Sequence, residues 1–295
     1  MMELIQQIVD GLGRGSIYAL LALGIAVIFG VMHLVNFAHG ELITVSAYTS
    51  YWLLTSGFDW WLVTLAIILV AALTSVVIEF VAFRWVRGAP DFTMLMTSFG
   101  VHFLVQALFV MYVSANFRQF SRPDWIFDTW KIGAISLEIY DLAVIATTLI
   151  TLLCTYWLLQ HTMFGISLRA AAEDFDAARL MGIRSNRVIR GAFFLSGLLA
   201  GVAAVFWLMR SGQAGPIAGL NPMLKGVLAA LIGGLGSLSG AVLGGFVLGL
   251  VEVLLIARLP TEIVGLTDGI VFVLIALLFV FRPQGLITVQ HVERV

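Results

Sequence analysis

The stretch "SIYALLALGIAVIFGVM", residues 16–32, carries no charged side chain and has about the length of a membrane-crossing helix. Three more runs have the same character: "WLVTLAIILVAALTSVVI" (61–78), "LAVIATTLITLLCTYWLL" (142–159) and "GIVFVLIALLFVF" (269–281). Strands of membrane barrels are short and alternate polar with apolar residues, which these runs do not. The continuous runs therefore predict an all-α, polytopic membrane helix bundle.

The composition agrees with a membrane protein and excludes several other classes. Of the 295 residues, 61% are hydrophobic and only 11% are charged, whereas soluble proteins carry about 25% charged residues. The formal net charge of −1 gives no reason to expect nucleic acid as a partner. Cys154 is the only cysteine, which excludes an intrachain disulfide and a cysteine metal site. The expected surroundings of the chain are a lipid bilayer.

Eight or nine membrane segments are expected, within one transmembrane domain that covers residues 1–295. Two candidate runs, 41–56 and 223–235, are short, and the first needs help from "NFAHG" (36–40) to cross. The candidate spans are 5–32, 41–56, 60–83, 93–113, 139–159, 191–209, 223–235, 240–257 and 264–281.

The arginines in short loops predict the orientation, because such residues collect on the cytoplasmic side of a membrane. Arg84 and Arg87 lie in one loop, the segment 160–190 holds five arginines, and the tail holds Arg282 and Arg294. Nine passes place all of these on one side. The sequence then predicts a cytoplasmic side at 160–190 and an N-terminus outside.

The stretch "LVNFAHGE" (34–41) places four special residues beside long apolar runs: Asn36, His39, Gly40 and Glu41. Inside hydrocarbon every backbone amide needs a partner, and ionisable groups there are usually functional. We expect a broken helix that acts as a hinge and inner gate of a transport pathway. The other interpretation is a polar loop at the cytoplasmic surface. A metal site is not expected, because zinc needs three or four converging ligands.

Other ionisable residues near the apolar runs are expected to form local pairs. Asp10 can pair with Arg14 at four-residue spacing, Glu79 with Arg84, and Glu252 lies shortly before Arg258. His102 and Gln106 share one helix face, and either bonding across helices or lining a pathway suits them.

Glycines are concentrated in "GGLGSLSGAVLGGFVLG" (233–249). Small residues four positions apart let helix backbones approach closely. We expect helix packing at two rows of glycines: Gly236, Gly240 and Gly244 in one, Gly245 and Gly249 in the other.

The longest charged stretch of the chain lies within residues 160–190. In it, "AEDFDAARLMGI" (172–183) predicts one short amphipathic helix that ends at Gly182. Such a helix either rests on the lipid surface or docks into a groove of a partner protein.

Four separate motifs, in order, resemble the branched-chain amino acid permease family of ABC importers. They are "GSIYALLALGIAVIFGVMHLVNFAHGELITVSAY" (15–48), "RAAAEDFDAARLMGI" (169–183), "LIGGLGSLSGAVLGG" (231–245) and "FRPQGL" (281–286). The resemblance covers nearly the whole chain. The stretch 114–138 carries no motif of the family.

The resemblance implies a permease subunit that is not an enzyme and has no resident cofactor. Its partners would be two cytoplasmic ATPases that bind ATP, a second homologous permease and an extracytoplasmic substrate-binding protein, in a bacterial or archaeal cytoplasmic membrane. The chain has no P-loop motif of its own. The residues expected to couple to the ATPases are Arg169, Glu173, Asp174, Ala177, Ala178, Arg179 and Gly182.

The expected substrates are leucine, isoleucine and valine, and urea, short amides or other amino acids are alternatives. A different class of function is a proton-coupled secondary transporter that uses Glu79, Glu252 or Asp268. A membrane enzyme would need a nucleophile or metal constellation that the sequence does not show.

Overall fold

The computed structural model of the chain describes residues 2–132, 135–282 and 285–287. Pro283 and Gln284 of the closing motif, and Arg294 of the tail, lie outside the described residues. The α-helices are α1 (Met2–Met32), α2 (Gly40–Thr55), α3 (Trp60–Val81), α4 (Asp91–Tyr112), α5 (Ile139–His161), α6 (Met163–Glu173), α7 (Phe175–Leu180), α8 (Ser185–Ser211), α9 (Leu220–Gly233), α10 (Leu238–Arg258) and α11 (Thr267–Phe281).

Strands are few and lie in the loops. β2 (Thr129–Ile132) and β3 (Ile135–Glu138) form an antiparallel hairpin between α4 and α5. β1 (Arg118–Gln119) pairs antiparallel with β4 (Gln213–Ala214), so the α4–α5 loop is joined to the α8–α9 loop. The expected all-α membrane bundle is confirmed.

Seven of the described helices are long and apolar enough to cross a membrane. They are α1, α3, α4, α5, α8, α10 and α11. The expected count of eight or nine segments is reached only with α2 and α9, which have 16 and 14 residues. At 1.5 Å per residue these two helices are roughly 24 Å and 21 Å long, so each needs an extended segment to complete a crossing.

The outer faces of the long helices are apolar and exposed. On α3, Trp61, Leu65, Leu69, Leu73 and Val77 recur at four-residue spacing and are each about half exposed or more. Soluble proteins do not expose continuous apolar faces of this size, whereas a bilayer solvates them. The chain is therefore a multi-pass membrane protein.

Helix α1 lies at the centre of the bundle and packs on α10 through glycine. A Cβ atom on Gly249 would overlap with the backbone of Gly15, and one on Gly245 would overlap with Ala19. Gly240 and Gly244 make equally close contacts with α9. One row of glycines therefore packs on α1 and the other on α9, as the spacing in the sequence suggests. The expectation for Gly236 is wrong, because Gly236 has φ +97 in the turn before α10 and nothing lies within 4 Å of its Cβ position.

The bundle has two ends of different character. At one end the end of α1, the α3–α4 loop and the start of α8 line a common cavity with arginines, and we call this the arginine-rich end. The opposite end carries the β2–β3 hairpin and the β1–β4 pair. There the Trp60 Nε1 donates to the Ser121 carbonyl at 3.2 Å, which ties α3 to the α4–α5 loop.

Candidate functional site

The chain turns back into the bundle directly after α1. His33 takes φ 52, and residues 33–36 lead into a short 3-10 helix, Phe37–His39. A Cβ atom on Gly24 would lie 3.1 Å from the His39 ring. Gly24 lies eight residues before Met32, so His39 sits roughly 12 Å inside the end of α1. Helix α2 therefore begins within the bundle and not at its surface.

Helix α9 begins beside the start of α2. A Cβ atom on Gly219 would overlap with the Gly40 carbonyl, and one on Gly40 would lie 2.8 Å from the Met223 Cβ. The Gly219 backbone N–H donates to the Thr44 Oγ1 at 3.2 Å. The amino ends of the two short helices thus meet in the interior. We call residues 36–44 and 219–223 the helix junction.

Asn36 and His39 hold the first part of the helix junction. The Asn36 Oδ1 accepts a hydrogen bond from the Ala38 backbone N–H at 3.0 Å and caps the 3-10 helix. The His39 ring is fully buried, with its Nδ1 3.3 Å from the Ser196 Oγ of α8. The interpretation of a surface loop is wrong, because this part of "LVNFAHGE" is packed inside the bundle.

Glu41 brings a buried carboxylate to the first turn of α2. Its Oε1 lies 2.7 Å from the Nδ1 of His102 on α4, and both side chains are at most 5% exposed. The other ring nitrogen of His102 lies 3.1 Å from the Gln106 amide nitrogen. Helix amino ends carry partial positive charge, and two of them meet here. The Glu41 side chain lies beside these ends and connects them to α4 through His102.

The described contacts of the helix junction are close glycine packing and a few polar bonds. Among the described residues, no group of three His, Cys, Asp or Glu side chains gathers as a metal would require. What the junction provides is a crossing point, where α1, α2, α4, α8 and α9 are joined by glycine contacts and a few polar bonds. Movement of α2 against α9 would break several of these contacts together.

The structure replaces the expected pairs of neighbouring charges with pairs between helices. Glu79 pairs with Arg87 and lies 3.7 Å from the Arg190 Nε, whereas Arg84 packs over the Phe80 ring. The expected pair of Glu79 with Arg84 is therefore wrong. Burial and the nearby Arg190 lower the pKa of Arg87 from its usual value.

Glu252 is also paired across helices. The Arg14 Nη1 lies 3.0 Å from its Oε1, and the Lys225 Nζ lies 2.9 Å from the same atom. The Tyr18 hydroxyl donates to its Oε2 at 2.8 Å. The expected partners, Asp10 for Arg14 and Arg258 for Glu252, are wrong. Helix packing, and not spacing along the chain, therefore decides the partners of Arg14 and Glu252.

Lys225 is the residue that sequence reasoning missed. It bridges Glu252 and Asp268, with its Nζ 3.1 Å from the Asp268 Oδ1, and joins α9 to α10 and α11. The signal was present, since Lys225 is one of only two lysines in the chain and lies inside the apolar run 223–235. A buried lysine in such a run needs acidic partners.

The segment between α5 and α8 contains two helices, so the expectation of one helix over 172–183 is wrong. Helix α6 ends at Glu173, and Asp174 takes extended backbone angles, φ −154 and ψ 105. The Asp174 Oδ1 accepts a hydrogen bond from the Ala177 backbone N–H at 2.9 Å and caps α7. A short polar side chain competes for backbone hydrogen bonds in this way and interrupts a helix.

The end of α7 presents apolar side chains to its surroundings. Leu180 and Met181 are 88% and 85% exposed, while Ala178 is buried against the bundle. Gly182 then takes φ +87, and the Ile183 backbone N–H bonds back to the Ala178 carbonyl at 3.1 Å. This is the left-handed glycine stop that the sequence predicts.

The other predicted coupling residues have different surroundings. Glu173, Ala177 and Arg179 are exposed around α7. Arg169 instead donates to the Leu159 carbonyl and to the Gln160 Oε1, the latter at 2.9 Å, so it fastens α6 to the end of α5.

Comparison with known proteins gives the relationship of the chain. A family model described as "Branched-chain amino acid transport system / permease component" matches residues 7–279. No solved structure matches the chain.

Individual relatives span the whole chain. It is 31% identical to the high-affinity branched-chain amino acid transport system permease protein LivH of Escherichia coli (strain K12), over 99% of this chain and 97% of that protein. It is 29% identical to the corresponding permease protein BraD of Pseudomonas aeruginosa, over 99% of this chain and 98% of that protein. A shorter match, 32% identical over 38% of this chain, joins it to the autoinducer 2 import system permease protein LsrC of Yersinia pseudotuberculosis.

A permease component acts within a larger transport complex and catalyses no covalent reaction. The match over residues 7–279 includes both the helix junction and α7. The chain therefore belongs to the family of permease components of branched-chain amino acid transport systems.

Proposed function

We propose that the chain is the permease subunit of an ABC importer for leucine, isoleucine and valine. The observation that carries this proposal is the similarity to LivH and BraD over 99% of the chain. ATP hydrolysis on partner subunits would drive the transport. The membrane would be the cytoplasmic membrane of a bacterium or archaeon.

The proposed complex contains two cytoplasmic ATPases, a second homologous permease and an extracytoplasmic substrate-binding protein. The arginine-rich end faces the cytoplasm in this proposal, because positive residues in short loops collect there. The chain then begins outside, since the end of α1 lies at the arginine-rich end. The opposite end receives the substrate-binding protein.

Residues 160–190 serve as the coupling loop, with α7 as the part that contacts an ATPase. Leu180 and Met181 are too exposed to stabilise the isolated chain, and an apolar pair on a short helix suits a groove of a partner. Arg169 anchors the loop to α5. The buried Glu79, with Arg87 and Arg190, joins the start of α8 to α3, so a push on α7 reaches the bundle.

The helix junction serves as the gate in this proposal. Asn36, His39, Gly40 and Glu41 lie where α2 and α9 meet, and they are joined to α4 and α8. An ATPase that pushes on α8 would move Ser196, which contacts the His39 ring. Gate opening would then correspond to separation of α2 from α9.

The test is ATP-driven uptake of radiolabelled leucine by the complex in proteoliposomes, with the variant Leu180→Glu. We expect uptake to fall about tenfold or more and the ATPases to be lost during purification, because a charge replaces an apolar anchor. The control Met163→Glu introduces the same charge in place of an apolar side chain that is 80% exposed, in the same segment 160–190. Unchanged uptake and unchanged ATPase recovery in Leu180→Glu would refute the role of α7.

The same assay separates the alternatives. Uptake that follows a proton gradient without ATP would favour a secondary transporter and would refute the importer. The pairing of Glu79 and Glu252 with cations argues against their carrying protons. Uptake of urea in preference to leucine would indicate that the substrate belongs to the short amides.

A further inference from the structure

A separate cavity of about 240 Å³ lies at the opposite end of the bundle. Its described lining comes from α1, α5, α8, α10 and the β2–β3 hairpin and includes no residue of the helix junction or of α7. A water takes roughly 30 Å³ in the liquid, so the cavity has room for roughly eight waters. A free amino acid therefore fits in this volume.

Asp141 gives the cavity a buried carboxylate that lacks a full set of partners. Its side chain is 5% exposed, and its Oδ1 accepts no hydrogen bond from any described residue. The Arg210 Nη1 lies 3.9 Å from that oxygen, which is beyond hydrogen-bond distance. A buried carboxylate is costly without a donor. That oxygen is closed off against Gly13 of α1, so a cationic group of a ligand would meet the other carboxylate oxygen, Oδ2.

The remaining polar lining carries both signs of charge: Asp10 and Glu138 are acidic, and Arg14 and Arg210 are basic. Asp10 accepts from the Gln6 Nε2 at 2.9 Å, and Arg14 is held by Glu252. Arg210 is held less tightly: its side chain is 46% exposed, and its guanidinium lies 5.3 Å from the centre of the Tyr140 ring. Asp141 and Arg210 thus form an open pair of opposite charges.

One wall of the cavity is apolar. Val253, Ile256 and Ala257 line it from α10, at spacings of three and four residues that place them on one helix face. An aliphatic side chain against this wall would leave water, which the hydrophobic effect favours. A ligand with two opposite charges and an aliphatic side chain would use Asp141, Arg210 and this apolar wall.

We propose that this cavity is a reception site for a free aliphatic amino acid on the entry side of the permease. Asp141 accepts the α-ammonium group, Arg210 donates to the α-carboxylate, and the α10 wall covers the side chain. The inference rests on the proposed function, because branched-chain amino acid import is what brings such a zwitterion to this end. It adds a site to that function that lies apart from the gate.

The test is binding of radiolabelled L-leucine to the full chain in lipid nanodiscs, with the subunits that co-purify and without binding protein. In Asp141→Asn, which keeps the shape of the side chain, we expect binding to weaken about tenfold, because a charge-assisted hydrogen bond is lost. The control Asp59→Asn changes an exposed aspartate of the α2–α3 loop and should bind as the wild type does. Isovalerate and isoamylamine, which each lack one charged group, should compete more weakly than leucine.

Equal binding by Asp141→Asn and the wild type, or no binding by the wild type, would overturn the proposal. Competition by isoamylamine as strong as that by leucine would also overturn it, because the site would then be a cation site only. If Asp141→Asn does not fold, Ala257→Trp decides: it fills the cavity from an exposed position, and retained binding would refute the site.

ATP-driven leucine uptake by the wild-type complex is measured in parallel. Normal uptake with leucine binding that these variants do not change would refute the reception site and leave the importer standing. Absent uptake would refute the proposed function itself.

Discussion

Gly219→Ala should separate the two short helices and destabilise the protein. Gly219 has ordinary helical angles, φ −86 and ψ −11, so alanine is allowed there and only its Cβ matters. That atom would overlap with the Gly40 carbonyl and lie 2.9 Å from the Thr44 Oγ1. Backbone atoms cannot rotate away as side chains can, so α2 and α9 must move apart.

The expected loss follows from two contributions. Overpacking of a close contact costs about 1–3 kcal/mol, and loss of the hydrogen bond from Gly219 to Thr44 costs about 1 kcal/mol more. A total of about 2–4 kcal/mol would lower the melting temperature by about 3–6 °C in a chain of this size. If the junction is also the gate, leucine uptake at a permissive temperature should fall further than the loss of folded protein explains.

The assay is thermal unfolding of the purified protein in detergent, with Gly100→Ala as the matched control. Gly100 lies in α4, and nothing lies within 4 Å of its Cβ position. Alanine should be neutral or stabilising there by about 0.5–1 kcal/mol. Melting of Gly219→Ala at the wild-type temperature would refute the close contact between α2 and α9.

Three further substitutions test other parts of the structure. Glu41→Ala leaves the Nδ1 of the buried His102 without its partner and should cost about 1–3 kcal/mol of unfolding free energy, measured by thermal melting; an unchanged melt would contradict the pair. Gly249→Ala directs a Cβ into the backbone of Gly15 and should cost about 1–3 kcal/mol in the same assay, and a neutral result would contradict the packing of α1 on α10. Asp174→Ala removes the cap of α7 and should cost about 1 kcal/mol locally, seen as faster hydrogen exchange of the α7 amides with little change in global melting; equal exchange would argue against the cap.

The parts of the candidate site that follow from the chemistry of single residues were predictable from the sequence. An asparagine, a buried histidine and a carboxylate between apolar runs mark a break in a membrane helix, and Asn36, His39 and Glu41 all lie at one. Gly182 was predictable as a helix stop, because a left-handed position favours glycine. The cap at Asp174 was not predicted from the sequence, because the helix-forming alanines on both sides of it favour one continuous helix.

The charged pairs were not predictable, because sequence spacing finds only neighbours on the same helix. Glu79 and Glu252 each had an arginine a few residues away, yet each is paired with cations from other helices. A buried ion pair is stable only when its geometry is good, so the carboxylate pairs with the cation that reaches it best, whatever the distance between them along the chain.

The sequence by itself determined that this chain is a helical membrane protein with a break at 36–41 and a charged segment at 160–190. Length, hydropathy and glycine spacing are local properties, and the bilayer leaves few other ways to satisfy the backbone. Only the tertiary structure decided that Gly40 meets Gly219, that Lys225 joins three helices, and that Asp141 faces a cavity with Arg210. These contacts join residues far apart in the chain, and their geometry depends on how the helices pack.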